Sequence, residues 1–212
     1  MLPLLMQGQY AVFALVLFAL VLSLTFHEYS HAATAYAFGD DTAQKAGRLT
    51  LNPLSHIDPQ GLLLVVLIGF GYARPVPFNP FRLSSPWGRF FIAAAGPAMN
   101  ALIALVAVNL FLFAVSHHIG VLASPAGQFF FSYLAHINIL LALFNLLPIG
   151  ALDGHHILPY LLPANLARRY ALLNQQYGNR LLFLLVIVNM LGVPVFQSLW
   201  KLGDVILHYM RF

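Results

Sequence analysis

His27-Glu28-Tyr29-Ser30-His31 is the stretch on which the reading of this chain turns. Two histidines four residues apart project from one face of a helix, and a carboxylate sits beside the first. In this H-E-x-x-H spacing both imidazoles bind one metal ion, and the glutamate handles the proton of a water molecule. Five letters alone are a weak signal. Their setting strengthens them, because residues 1–26 carry no charge and an ionisable group at the end of such a run is costly in a membrane and marks a functional site. Glu28 is also the single glutamate of the chain.

Composition places the whole chain in a bilayer. It is 60% hydrophobic and 8% charged, against about 45–50% apolar and about 25% charged for a soluble domain. Its 212 residues contain no stretch polar enough for a separate soluble module. The net charge of +4 comes from Lys and Arg scattered through loops, which reads as a topology signal and excludes a nucleic-acid partner. Without cysteine there is no disulfide, thiolate metal site or thiol nucleophile. The N-terminus lacks a basic region and its apolar run leads straight into the motif, so a retained first span is expected rather than a cleaved signal.

Working outward, Met1 to Phe26 is long enough to cross a core that takes about 20 residues of helix, which puts His27 and His31 in its last turns. A structured loop follows, with Leu49-Thr50-Leu51 as a short strand and turns at Asn52-Pro53 and Asp58-Pro59. Gly61 to Tyr72 is apolar but too short to span, so it dips in and returns or packs inside. Residues 73–80 contain three prolines and read as extended. Phe90 to Leu152 is a charge-free run of 63 residues, which suits spans at about 90–116 and 127–148. Leu166, Tyr170, Leu173 and Tyr177 recur at helical spacing in an interfacial segment. Leu181 to Trp200 is a last uncharged run, with Gly192 and Pro194 placed to kink it.

The expected fold is therefore an all-α polytopic membrane protein of four spanning helices, with a short re-entrant or buried helix and short β segments near the cytoplasmic interface. It forms a single domain over residues 1–212, with a core of about 8–160 and an interfacial helix and last span over about 163–210. With 61–72 not crossing, Lys45, Arg48, Arg74, Arg82, Arg89, Arg168, Arg169 and Arg180 share the cytoplasmic side. The same count brings the end of the first span and Asp153 to one interface.

A catalytic zinc site takes a third protein ligand and leaves a position for water. With Glu28 assigned to the proton, the candidates are His56, His117, His118, His136, Asp153, His155, His156 and His208. Topology sets His117 and His118 in the turn opposite. Asp153 fits best: it ends the charge-free run, lies at the correct interface, and precedes Gly154, where backbone approaches closely. An Asp before a helical stretch also reads as an N-cap.

These residues carry a resemblance. His27-Glu28-Tyr29-Ser30-His31 with Asn145-Leu146-Leu147-Pro148-Ile149-Gly150-Ala151-Leu152-Asp153-Gly154 resembles the paired H-E-x-x-H and N-x-x-P-x-x-x-x-D-G motifs of the site-2 protease family, the intramembrane zinc metalloproteases. Gly96-Pro97-Ala98-Met99-Asn100 resembles that family's G-P-x-x-N segment. Gly47 to Pro53 and His56 to Pro59 resemble its compact branch, without PDZ or CBS modules. The resemblance implies one Zn2+ per chain on His27, His31 and Asp153, Glu28 as catalytic base, and Asn145 beside the substrate backbone. It implies an endopeptidase in the cell membrane, its site near the cytoplasmic side, acting on a transmembrane protein substrate. Asn145 and Pro148 also read as a plain helix stop. Gly96, Pro97 and Asn100 read as close helix packing and a kink. His56 reads as a group behind the ligands or on the substrate side. From other classes, a divalent-metal transporter or a metal-binding scaffold also uses intramembrane His, Asp and Glu.

Overall fold

The computed structural model describes residues 1–69 and 71–211. The chain begins with α1 (Leu2–Met6), followed by a turn through Gly8 at φ 70°. Helix α2 (Tyr10–Ala37) follows and runs 28 residues, about 42 Å at about 1.5 Å per residue. This corrects the expected first span: Gln7-Gly8-Gln9 interrupts it, and the helix continues past Phe26 through the whole motif. His27 and His31 still fall in about the last three turns of α2, which runs on to Ala37 because no helix breaker occurs before Gly39.

After α3 (Thr42–Lys45) the chain forms a compact loop. The expected strand Leu49–Leu51 is absent. The Thr50 carbonyl accepts from the His56 imidazole at 2.7 Å instead of from a strand partner, and Asn52 caps a short turn at Pro53–Ser55. Among the described residues the β structure is one antiparallel bridge, Ile57 to Ala73, beside which Arg74 N–H donates to the His56 carbonyl at 2.8 Å.

Helix α4 (Pro59–Ile68) starts on an Asp58 cap that accepts from the Gln60 and Gly61 N–H groups, and stops at Gly69, φ 82°. Ten residues reach only about 15 Å, so it does not span. The alternative that this segment is buried is also corrected: Gly61 is its one buried residue, and Leu63, Leu64, Leu67 and Ile68 are exposed. Of the expected segment 61–72, Phe70 lies outside the described residues. The chain turns straight back over α4, so closely that a Cβ on Gly61 would lie 2.0 Å from the Tyr72 carbonyl oxygen. Residues 74–79 then run without helix, as their prolines require.

Helices α5 (Gly88–Ser116) and α6 (Pro125–Asn145) complete, with α2, three helices long and apolar enough to cross a membrane. Ala19, Ala104, Ala107 and Ala135 are almost fully buried where they meet, beside Phe131, Leu134 and Ile139. Small residues let helix backbones approach, which is how helices associate where lipid is as apolar as any side chain.

The rest is short helices: α7 (Gly154–Ile157), α8 (Ala164–Leu173), a π turn at Asn174–Gly178, α9 (Asn179–Met190) and α10 (Gln197–Tyr209). The uncharged run 181–200 is thus broken rather than kinked. Gly192 at φ 97° and Pro194, which has no N–H to donate, separate helices of 12 and 13 residues. Helix α10 packs on α6, with Leu207 buried and Gly203 against Ile139. His136 of α6 faces Asp204 of α10 at 3.3 Å and gives its other nitrogen to the Ser132 carbonyl, a helix-packing role.

Candidate metal centre

The site forms where α2, α5 and α6 meet at one end of the bundle. In α2 the buried face includes Val16, Leu20, Ser23, His27 and His31, a stripe at helical spacing that turns polar as it descends. His27 and His31 are 5% and 7% exposed. Their Nε2 atoms are 3.0 Å apart. Asp153, from the turn after α6, brings Oδ2 to 3.3 Å from His27 Nε2 and Oδ1 to 3.4 Å from His31 Nε2. His27, His31 and Asp153 are the one group of three metal-ligating side chains found together among the described residues.

Hydrogen bonding on the far side of each ring defines what faces inward. His31 Nδ1 donates to the Ile92 carbonyl at 2.6 Å, and His27 Nδ1 donates to Asn100 Oδ1 at 2.5 Å. Both Nδ1 atoms therefore carry a proton, which leaves each Nε2 able to present its lone pair to a metal. The Asp153 carboxylate is a third acceptor, and its buried Oδ2 has no hydrogen-bond donor. With the two Nε2 lone pairs and the carboxylate turned to one point, the arrangement is costly unless a cation sits there. Asp153 precedes α7, yet its side chain makes no cap hydrogen bond, so the N-cap reading does not hold. The ligand set, two imidazoles and a carboxylate, fits zinc.

Space for the pair comes from α5. A Cβ on Gly96 would lie 2.4 Å from His31 Nε2 and 2.6 Å from His27 Nε2. Gly96 and Asn100, read from sequence as packing residues, thus touch the imidazoles directly. Only their spacing of four, which puts both on one helix face, could have signalled it.

Asp153 is held by the turn that carries it. Gly150 takes φ 63°, and Asn174 of the π turn accepts from its N–H at 2.8 Å and donates to its carbonyl at 3.0 Å. Tyr170 adds a hydrogen bond to the Pro148 carbonyl. No sequence signal pointed to Asn174.

A cavity of about 560 Å³ opens on these groups, within the usual range for a ligand site. Glu28, 8% exposed, lines it beside His27 and His31. Asn145 lines it too, with its amide donating to the Leu141 carbonyl at 3.0 Å. Tyr72, Pro75, Val76 and Phe78 also line it, and the remaining wall is largely apolar. Arg48 braces that extended segment: its buried guanidinium donates to the Arg74 and Pro75 carbonyls. His56 is fully buried beneath the loop and does not line the cavity. His156 does. Burial first, then the neighbouring His155 and Arg89, push its imidazole down to about 4, so it is neutral at physiological pH. His155 is turned to the Leu152 carbonyl. His117 and His118 lie at the far end of α5.

This constellation is that of a membrane-embedded metallopeptidase, and similarity to known proteins agrees. The sequence model for Peptidase family M50 matches residues 15–128 and 114–189. The chain is 38% identical over 187 residues to the "Putative zinc metalloprotease YwhC" of Bacillus subtilis (strain 168), covering 87% of this chain and 84% of that protein. It is 33% identical over 202 residues to the "Putative zinc metalloprotease Rip2" of Mycolicibacterium smegmatis (strain ATCC 700084 / mc(2)155), covering 91% and 74%. No solved structure matches it. The chain belongs to peptidase family M50, the site-2 protease family: it is a multi-pass membrane zinc metalloprotease.

Proposed function

We propose that this chain is an intramembrane endopeptidase that hydrolyses a peptide bond in or near a transmembrane segment of a membrane protein, with its site toward the cytoplasmic side. The observation that carries the reading is the convergence of His27 Nε2, His31 Nε2 and Asp153, whose buried Oδ2 has no hydrogen-bond partner, on one point at the wall of a cavity that also holds Glu28. His27, His31 and Asp153 would hold the zinc. When bound, zinc supplies a Lewis acid that polarises the scissile carbonyl and lets water attack near neutral pH.

The chain's own groups do the rest. Glu28 takes the proton of the attacking water and delivers it to the leaving amine. Asn145 uses one amide proton on Leu141 and has a second to offer a substrate carbonyl. A substrate helix must unwind before its carbonyls are open to attack, and the unwound strand then needs backbone partners that lipid does not supply. The 75–78 segment, extended along the cavity and braced by Arg48, fits that task by strand pairing. His56, which holds Thr50 and Arg74 in register, supports this edge from behind.

The proposal extends to topology. Helix α9 starts where Gly178 meets Gly150 at the site end, and α10 finishes where Asn109 donates to the Met210 carbonyl near the other end of α5. Together α9 and α10 make a broken fourth crossing. Lys45, Arg48, Arg74 and Arg82 lie between α2 and α5, and Arg89 in the first turn of α5, and a cytoplasmic site end accords with the bias of basic residues toward that side.

Metal analysis and reconstituted cleavage test this. Purified parent protein should hold about one zinc per chain, and Asp153→Ala should lose it. Glu28→Gln should keep zinc and lose cleavage of single-span reporter proteins in liposomes by about 10²- to 10⁴-fold. Undiminished cleavage by Glu28→Gln, or full zinc in Asp153→Ala, would overturn the assignment.

A further inference from the structure

We propose that Asn138, acting through Asn100, is a positioning residue that fixes the tautomer of His27 and thereby turns its Nε2 into a metal ligand. The proposal rests on the reading of His27 as a zinc ligand and adds Asn138 of α6 to the groups that support that site.

A directed chain of hydrogen bonds joins the three long helices. It is anchored on two main-chain carbonyls, which can only accept. The Asn138 amide nitrogen donates to the Leu134 carbonyl at 2.8 Å and to Ser23 Oγ at 2.8 Å. Ser23 spends its own proton on the Ala19 carbonyl at 2.6 Å, so toward Asn138 it can only accept. Both amide protons of Asn138 are thus committed on one side. Its Oδ1 faces Asn100 and takes the Asn100 amide proton at 2.7 Å. That orients Asn100 with Oδ1 toward His27 Nδ1, and since an amide oxygen only accepts, the imidazole proton must sit on Nδ1.

Burial makes this order binding. Ser23, Asn100 and Asn138 are 0% exposed, so no water can replace a missing partner or ease a reversed one. With an apolar residue at 138, Asn100 would lose the acceptor that distinguishes its two amide orientations. The flipped one presents N–H to His27, moves the imidazole proton to Nε2, and removes the lone pair a metal needs. His31 has no such weakness, because its Nδ1 is set by the Ile92 main-chain carbonyl, which cannot flip. The asymmetry explains why two buried asparagines stand behind one histidine only. Ser23 should matter less than Asn138, because the Leu134 carbonyl still orients the Asn138 amide without it.

The test combines imidazole ¹⁵N spectra of the metal-free protein in detergent with zinc affinity by chelator competition. The His27 signals are assigned by their disappearance in His27→Ala. The parent should show His27 protonated at Nδ1. Asn138→Leu should show His27 shared between tautomers and bind zinc about 10- to 100-fold more weakly, and Ser23→Ala should fall between it and the parent. Asp153→Ala is measured alongside. If it loses zinc while Asn138→Leu keeps parental affinity and tautomer, the relay is wrong and the ligand set stands. If both keep zinc, the ligand set itself falls, and the relay with it. Should Asn138→Leu not fold, the parent spectrum decides: His27 protonated at Nε2 would overturn the proposal, and protonation at Nδ1 with weakened zinc binding in Ser23→Ala would support it.

Discussion

Gly96 sits against both imidazoles, so close that a Cβ there would come within 2.4 Å of His31 Nε2 and 2.5 Å of the His27 ring. Gly96→Ala would put a methyl group against the ligating atoms. Alanine is the better helix former by about 1 kcal/mol, so helix propensity does not oppose the change. We expect zinc affinity to fall at least about tenfold, in the range found when groups behind metal ligands are altered, with cleavage falling alongside. Chelator competition and metal content check this, with the thermal midpoint of the metal-free protein reporting the fold.

Asn174 grips both main-chain polar groups of Gly150. Asn174→Ala removes two hydrogen bonds, each worth about 1 kcal/mol net, and frees the turn that carries Asp153. The expected outcome is a thermal midpoint lowered by a few degrees and weaker zinc binding. Asn174→Asp keeps the acceptor for the Gly150 N–H and loses the donor to its carbonyl, so it should lie between alanine and parent.

Arg48 spans two successive carbonyls of the cavity's extended wall with one guanidinium. A lysine has no planar fork and cannot hold both in the same geometry. Arg48→Lys should leave zinc content unchanged and reduce cleavage about tenfold, the equivalent of about 1.4 kcal/mol. Unchanged cleavage with an intact fold would remove the 75–78 wall from substrate binding.

Asp40 ties the end of α2 to the loop before α5: it accepts from the Thr42 hydroxyl and N–H and from the Asn79 N–H. Burial alone would raise its carboxyl. The hydrogen bonds from Thr42 and Asn79, with the Arg82 charge, outweigh it and hold the group below the ordinary value. Its stabilising contribution is therefore complete above the unfolded value of about 3.9 and is lost as pH falls through the lower folded value. Asp40→Asn should cost about 1–3 kcal/mol at neutral pH and flatten the acid limb. Thermal unfolding of both proteins between pH 7 and 3 checks the sign.

The chain itself determined what depends on local spacing and on composition. His27 and His31 share a helix face because four residues make about one turn, and 63 charge-free residues cannot fold in water as they stand. Asp153 was legible as the one charge breaking that run. Boundaries were less legible: the first helix passes through the motif, Leu49–Leu51 forms no strand, and Leu181–Trp200 breaks in two. Each depends on backbone partners from elsewhere in the chain, such as His56 for Thr50.

Only the tertiary structure decided which residues stand behind the ligands. In a soluble protein an apolar stripe marks the buried face, but in a bilayer both faces of α2, α5 and α6 are apolar, so the pattern carries no direction. Gly96 against the imidazoles, the run from Ser23 through Asn138 and Asn100 to His27, and Asn174 on Gly150 are contacts between elements far apart in sequence. Their physical basis is that a buried polar group must find a partner wherever the fold brings one within reach, and helix crossing sets that reach.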